Sequence, residues 1–314
     1  MTNLEACLPA DLQGPTTTIT RVAAGMSGAG VYRVEVAGQA YVLKVVAESE
    51  PIERWRRRVH IHRLAADAGV APRIVHVDEA RRAVVSAFVG GTPFPAVYGD
   101  PRTREDVLAL LGRTVRRVHE IPLPPDADVL EPRTFLGTIW SALVPGFPVP
   151  AFVEGAVARA LAEAVPACER PAVLSHNDAN PTNVVYDGEH LLFIDWDTAG
   201  SNDPFYDLAA IAVFLRMDDA TCQRLLAAHD GAPVDALPAR FVYNRRLIAV
   251  MCGTASLYVA RTKGHAGATG QETLESSASL EEFYRQMRSG SISITTPEGQ
   301  WCFGLALVKA STTL

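Results

Sequence analysis

Lysine is nearly absent from this chain: Lys44, Lys263 and Lys309 stand among 26 arginines. A lysine kept inside an apolar stretch therefore marks a place that wants a compact ammonium rather than a guanidinium. Basic charge is also short overall, and the formal net charge of −6 argues against a nucleic-acid partner. It leaves room for a cationic substrate. The cysteines Cys7, Cys168, Cys222, Cys252 and Cys302 lack C-x-x-C or paired-histidine spacing, which speaks against a zinc site and a disulfide framework and fits a reduced cytoplasm. Met1 to Gly14 has no basic-then-apolar leader pattern. The longest apolar stretch, Leu247 to Ala260, is too short and too rich in small residues to span a bilayer, so no membrane insertion is expected. No internal repeat or long low-complexity linker is present, and nothing in the pattern assigns an oligomeric state. What remains is 314 residues with 48% hydrophobic content, enough for a large core and an expected division into two lobes.

The chemistry gathers between Leu174 and Leu208. Val184 to Tyr186 and Leu191 to Ile194 read as two apolar strands joined by the turn-forming Asp187-Gly188-Glu189-His190. If Tyr186 faces Leu191, then Asn183 faces Ile194 and Asp195 lies beside it. Cross-strand neighbours sit roughly 5 Å apart, so an amide oxygen and a carboxylate a dozen residues apart in sequence converge on one point. A hard cation such as Mg²⁺ suits that oxygen pair. Asp178, in the loop leading into the first strand, approaches the same point.

His176-Asn177-Asp178 with Asn183, followed by Ile194-Asp195-Trp196-Asp197, resembles the aminoglycoside phosphotransferase and choline kinase family. Asp195 to Leu208 is most similar to its bacterial choline-kinase-like members. The resemblance implies an α+β, protein-kinase-like two-lobed fold, with a small N-terminal antiparallel sheet lobe and a larger, mainly helical C-terminal lobe. It implies transfer of a phosphoryl group from ATP to a small molecule's hydroxyl, with Asp178 as catalytic base and Asn183 and Asp195 holding Mg²⁺. By the same resemblance Asp207 anchors the loop through hydrogen bonds, while His176, two residues before the base in an extended loop, points to the opposite side and is expected to support the loop by hydrogen bonding.

The N-terminal third offers a nucleotide site. Thr16 to Ala23 and Val31 to Val36 alternate as strands around Gly25-Met26-Ser27-Gly28-Ala29-Gly30, where Ser27, Gly28 and Gly30 would let backbone N–H groups approach phosphate oxygens. Tyr41 to Val46 forms a third strand, and Lys44 within it is placed to pair with the α- and β-phosphates. A glutamate on the next helix usually orients that lysine in kinase-like folds. Here Arg56, Arg57 and Arg58 stand where family members tend to have it, and Glu53, the only acid on the helix, falls one turn early. Either the helix is shifted or another group orients Lys44.

Pro72 to Val77 and Ala83 to Phe88 complete five strands, and Gly90-Gly91-Thr92-Pro93 ends the pattern. The expected division is a nucleotide-binding lobe over 1–88, a catalytic and substrate lobe over 89–288, and an extension over 289–314 without assigned role. The resemblance places adenine contacts at the backbone of Ala87 and Phe88. Pro101 to Glu120 has helical spacing ending at a structural His119, and Asp203-Pro204 reads as a helix start. Ser289 to Leu314 reads as Ser/Thr-rich and then strand-like through Trp301 to Val308.

Choline or a similar amino alcohol is the expected acceptor. Trp140, Trp196, Tyr206, Tyr243 and Tyr258 with Asp203 could form a cage for a quaternary ammonium, and the same aromatics would serve equally as core. An aminoglycoside or another small alcohol is the alternative, although Asp218-Asp219, the one acidic pair in view, reads as a helix cap. A protein kinase would need a longer peptide-docking segment after Asp195, and a catalytically inactive nucleotide-binding module is the rival from another class.

Overall fold

The computed structural model describes residues 3–22 and 29–314, and their packing forms two compact units. The first comprises Met1–Asp128, Val173–Ser201 and Ala228–Asp230. It opens with β1 (Thr18–Arg21), β2 (Gly30–Val36), β3 (Gln39–Val45), α1 (Ile52–Asp67), β4 (Ile74–Asp78) and β5 (Ala83–Ala87). The five strands form one antiparallel sheet in the order β1-β2-β3-β5-β4. Alternation decides its faces. Leu43 pairs with Tyr32 and Val85 and is fully buried, so its neighbour Lys44 projects to the opposite side. Burying one such leucine stabilises by about 1.5–3 kcal/mol. Leu43, Val34, Ala83 and Val85 share their core with Cys7, Leu8 and Leu12 from two short 3₁₀ turns that precede β1.

Helix α1 ends where Gly69 takes a left-handed φ of 67° and Val70 N–H turns back to the Ala65 carbonyl. Next come β6 (Thr92–Pro93), α2 (Phe94–Gly99) and α3 (Arg104–His119). The predicted apolar stripe of α3 is buried at Val107, Leu111, Thr114, Val115 and Val118. His119, its last residue, meets His229 through Nδ1 and Nε2 at 3.0 Å. The unit is completed by β7 (Val173–Ser175), β8 (Val184–Tyr186), β9 (Leu191–Phe193) and β10 (Gly200–Asn202), with β6-β8-β9 as one small sheet and β10-β7 as another. Phe193 N–H donates to the Val70 carbonyl at 2.8 Å, which fastens β9 to the end of α1.

The second unit is Val129–Ala172, Asn202–Ala227 and Gly231–Leu314. It holds α4 (Pro132–Leu143), α5 (Ala151–Ala162), α6 (Tyr206–Phe214), most of α7 (Asp219–Asp230), α8 (Ala239–Thr262), α9 (Leu280–Arg288) and α10 (Pro297–Ala310). Asp218 caps α7 by accepting from Thr221 N–H at 2.8 Å. Helix α6 begins two residues after the Asp203-Pro204 pair, which forms the turn into it: Asp203 accepts from Phe205 N–H at 2.8 Å.

Trp301 to Val308, expected as a strand, is helical. The run is apolar on every side, and a segment buried all round carries no period that separates strand from helix. The helix signal lay upstream, where Thr296 accepts from Gly299 N–H and Pro297 occupies the first turn. Helix α10 is part of the core: it lies along α8, with Leu307 and Ala306 packed beside Ala249, Val213 and Phe283. The crossing is close because Gly253 meets Gly304. A Cβ on Gly253 would stand 2.7 Å from Val308 Cγ2 and 2.9 Å from the Gly304 carbonyl oxygen.

Candidate active site

Every group below belongs to the first unit unless stated. The β8–β9 hairpin has the register read from sequence, Tyr186 opposite Leu191 and Val184 opposite Phe193. Its turn is set by Asp187, whose carboxylate accepts from the N–H groups of His190 at 2.7 Å and Glu189 at 2.9 Å. Those backbone donors hold the Asp187 carboxyl below the usual aspartate range. Before β8 a 3₁₀ turn, Pro181–Asn183, is capped by Asn180, which accepts from Thr182 N–H at 3.1 Å. The turn delivers Asn183 to Asp178. The Asn183 amide N–H₂ donates to Asp178 Oδ2 at 2.8 Å and to the Asp178 carbonyl at 3.0 Å. With its nitrogen so engaged, Asn183 presents its oxygen to any other partner.

Asp195 follows β9 in a left-handed conformation, φ 65° and ψ 65°, uncommon for a residue with a side chain. Lys44 Nζ lies 2.7 Å from Asp195 Oδ1 and 2.6 Å from Asp197 Oδ2. Burial alone would lower the Lys44 pKa, but Asp197 and then Asp195 outweigh it and hold the ammonium above the usual lysine value.

The loop behind these groups is tied to the hairpin. His176 is fully buried, with Nε2 3.0 Å from the Ile194 carbonyl and its ring against Trp196 and Phe193. Asn177, also left-handed at φ 64°, donates to the Thr198 carbonyl at 2.9 Å, and the Thr198 hydroxyl donates to the His176 carbonyl at 3.1 Å.

Other expected residues fall elsewhere. Glu53 pairs with Arg56 at 2.5 Å on the exposed side of α1 and is not a partner of Lys44, whose carboxylates come from the Asp195–Asp197 segment instead. The α1 spacing is the reason: Trp55 and Val59 face the core and turn Glu53 outward. Arg58 pairs with Glu50 at 2.5 Å. Ser27 and Gly28 lie outside the described residues, while Gly30 opens β2 opposite Val45. The N–H groups of Ala87 and Phe88 are committed, to the Arg73 carbonyl at 2.9 Å and the Ala40 carbonyl at 3.2 Å, so neither is left to donate to a nucleobase. Asp207, in the second unit, is buried in the first turn of α6.

Of the aromatics considered for a cage, Trp196 in the first unit and Tyr206 and Tyr243 in the second are each buried as core. Asp203, in the second unit, is engaged by Arg240 and accepts from Asn244 at 3.0 Å. Two participants escaped the sequence reading. Asp197 is the second carboxylate on Lys44, and its D-x-D spacing from Asp195 was the available signal. His62 donates through Nε2 to the Pro72 carbonyl at 3.0 Å and is pushed down to about 4, chiefly by burial, with the Lys44 charge adding to it.

Asp195 and Asp197 already converge on one cation, the Lys44 ammonium, and the donors beside them are all oxygens. That set fits Mg²⁺, which is commonly held by one or two carboxylates together with substrate phosphates. No group of three or more His, Cys, Asp or Glu able to hold a metal occurs among the described residues.

This sheet, loop and hairpin have protein-kinase-like architecture. The chain belongs to the phosphotransferase enzyme family, whose pattern it matches over residues 18–240. Similar solved structures include a choline/ethanolamine kinase family protein from Mesorhizobium loti, at 22% identity, TM-score 0.64, and 97% and 96% coverage of the two chains. Choline kinase LicA from Streptococcus pneumoniae aligns at 14% identity and TM-score 0.62, covering 88% and 95%. A spectinomycin phosphotransferase in complex with ADP and spectinomycin aligns at 15% identity and TM-score 0.58, covering 95% and 93%. Protein LicA of Haemophilus influenzae is 47% identical over 36 residues, which span 12% of this chain and 14% of that protein. No described helix is long and apolar enough to cross a membrane.

Proposed function

We propose that this enzyme moves the terminal phosphoryl group of ATP onto the hydroxyl of a small amino alcohol, choline or a near analogue, with Mg²⁺. The observation that carries the reading is the placement of Asp178, hydrogen-bonded by Asn183 at 2.8 Å, in the same unit as a lysine held by Asp195 and Asp197. Asp178 accepts the proton of the acceptor hydroxyl, and Asn183 fixes its carboxylate for that purpose. Lys44 exchanges its carboxylates for the α- and β-phosphates when nucleotide arrives. Asn183 and Asp195 are the residues that would hold Mg²⁺, which would supply positive charge against the phosphate oxygens. His176 and Asn177 keep the loop in register with the hairpin, and no enzyme nucleophile is needed.

The amino alcohol is supported by the likeness to the choline/ethanolamine kinase family protein from Mesorhizobium loti and to choline kinase LicA from Streptococcus pneumoniae. It is also supported by the motif running from Asp195 to Leu208. Engagement of Asp203 by Arg240 argues against a carboxylate cage at that position. The deciding experiment is a thermal shift with Mg-ATP, followed by ADP release on a panel of amino alcohols, sugars and aminoglycosides. Stabilisation with ADP release on choline or ethanolamine supports the proposal. Release on aminoglycosides alone moves the acceptor class, and stabilisation without release on any acceptor leaves a nucleotide-binding module.

A further inference from the structure

Helix α1 brings no acid to Lys44, yet it packs directly on the turn Trp196–Thr198, which carries Asp197. Its basic face has a specific use. Arg54 and Arg57, three residues apart and hence on one side of the helix, both reach Asp128: Arg57 Nη2 lies 2.8 Å from Oδ1 and Arg54 Nε 3.4 Å from Oδ2. Asp128 sits in the irregular segment after α3, and its own backbone touches the far end of the same active-site stretch. Its carbonyl accepts from Ser201 N–H at 2.8 Å. At Gly200 the approach is closer still, since a Cβ there would stand 2.2 Å from the Asp128 carbonyl oxygen. The stretch from Asp195 to Ser201 is thus held at one end by Lys44 and at the other by Asp128.

We propose that Asp128 is a positioning residue that, through Arg54 and Arg57, locks α1 to the Asp195–Ser201 segment and so sets the two carboxylates that meet Lys44. The proposal rests on the reading of Lys44 and Asp195 as the phosphate and metal groups. Arginine suits the role, because a guanidinium fixes direction as well as charge and one carboxylate accepts from two such forks. The side chains are partly exposed, with 44% for Asp128, so the coupling is expected to be moderate rather than absolute. Asp128 touches neither nucleotide nor acceptor in this scheme and acts through Asp195 and Asp197.

The test compares wild type, Asp128→Asn, Asp128→Glu and the reversed pair Arg57→Asp with Asp128→Arg. Each is titrated with a non-hydrolysable Mg-ATP analogue and with adenosine, which lacks the phosphates. Asp128→Asn is expected to weaken the Mg-nucleotide about five- to tenfold, the scale of one charge-assisted contact, with adenosine affinity and Tm unchanged. Asp128→Glu and the reversed pair are expected to recover most of the loss. Equal Mg-nucleotide affinity in wild type and Asp128→Asn would overturn the proposal, as would parallel loss of adenosine affinity and Tm, which marks plain structural damage. A wild type that binds no Mg-nucleotide would overturn the nucleotide reading itself, and this proposal with it.

Discussion

Lys44 and Asp195, 151 positions apart in the chain, meet at 2.7 Å, with Asp197 closing on the same ammonium at 2.6 Å. A cationic strand residue and two acids after a hairpin thus form one ion cluster.

Replacing Lys44 with Met leaves Asp195 and Asp197 without their cation and the phosphates without an ammonium. We expect kcat/KM for Mg-ATP to fall about a hundredfold or more, the scale of losing one preorganised charged group. Lys44→Arg is expected to rescue little, since the forked guanidinium cannot take the place of a compact ammonium between two carboxylates. Steady-state kinetics with nucleotide varied at fixed acceptor is the check, and full activity in Lys44→Arg would contradict the point-charge argument.

Asp178→Asn is expected to lower kcat by about 10²–10⁴, the usual range for loss of a positioned general base. Binding of Mg-nucleotide should persist. Asp195→Ala is expected to lose turnover and Mg-nucleotide affinity together. Calorimetry on both variants separates the two roles, and an Asp178→Asn enzyme that turns over normally would remove Asp178 from the chemistry.

His62 gives a pH dependence whose sign can be worked out. Burial, with Lys44 nearby, brings its folded pKa down to about 4 from the unfolded 6.5, so the folded protein favours the neutral ring. Its contribution is present above pH 6.5 and is lost as pH falls through 4. The full difference amounts to roughly 3 kcal/mol. Urea unfolding between pH 7 and 4 should therefore show falling stability, and His62→Gln, which keeps an N–H for the Pro72 carbonyl, should flatten that slope. An unchanged slope in His62→Gln would assign the pH effect elsewhere.

At the α8–α10 crossing, Gly253→Ala forces a methyl against Val308 Cγ2 at 2.7 Å and the Gly304 carbonyl oxygen at 2.9 Å. Overpacking of this kind costs about 1–3 kcal/mol. Gly304→Ala meets the Gly253 carbonyl oxygen at 2.8 Å and should behave alike. Thermal unfolding of the two variants is the measurement, and wild-type Tm in both would show that the helices separate without strain.

The hairpin was legible because its information is local: alternation fixes the faces and Asp187-Gly188 fixes the turn, so the register followed. The five strands of the first sheet were legible for the same reason. Helix α10 was not, because Trp301 to Val308 is apolar on all sides and either element satisfies such a run. Cys7, Leu8 and Leu12 were also missed as core, since two 3₁₀ turns are too short to show a period. The partner of Lys44 depended on where a distant segment lands. The expected helix acid was sought by analogy with kinase-like folds, whereas the acids that meet Lys44 sit in the D-x-D whose second member had been given no role. Asp128, in the irregular segment between α3 and α4, was given no role either.

The segment from Cys7 to Leu12 closes the apolar face of the sheet made by Val34, Leu43, Ala83 and Val85. Shortening a recombinant version by its first dozen positions would strip a lid from that surface and invite sticking between molecules. An affinity handle placed ahead of Asn3 keeps the lid, so the same handle moved to replace those residues is the design to avoid.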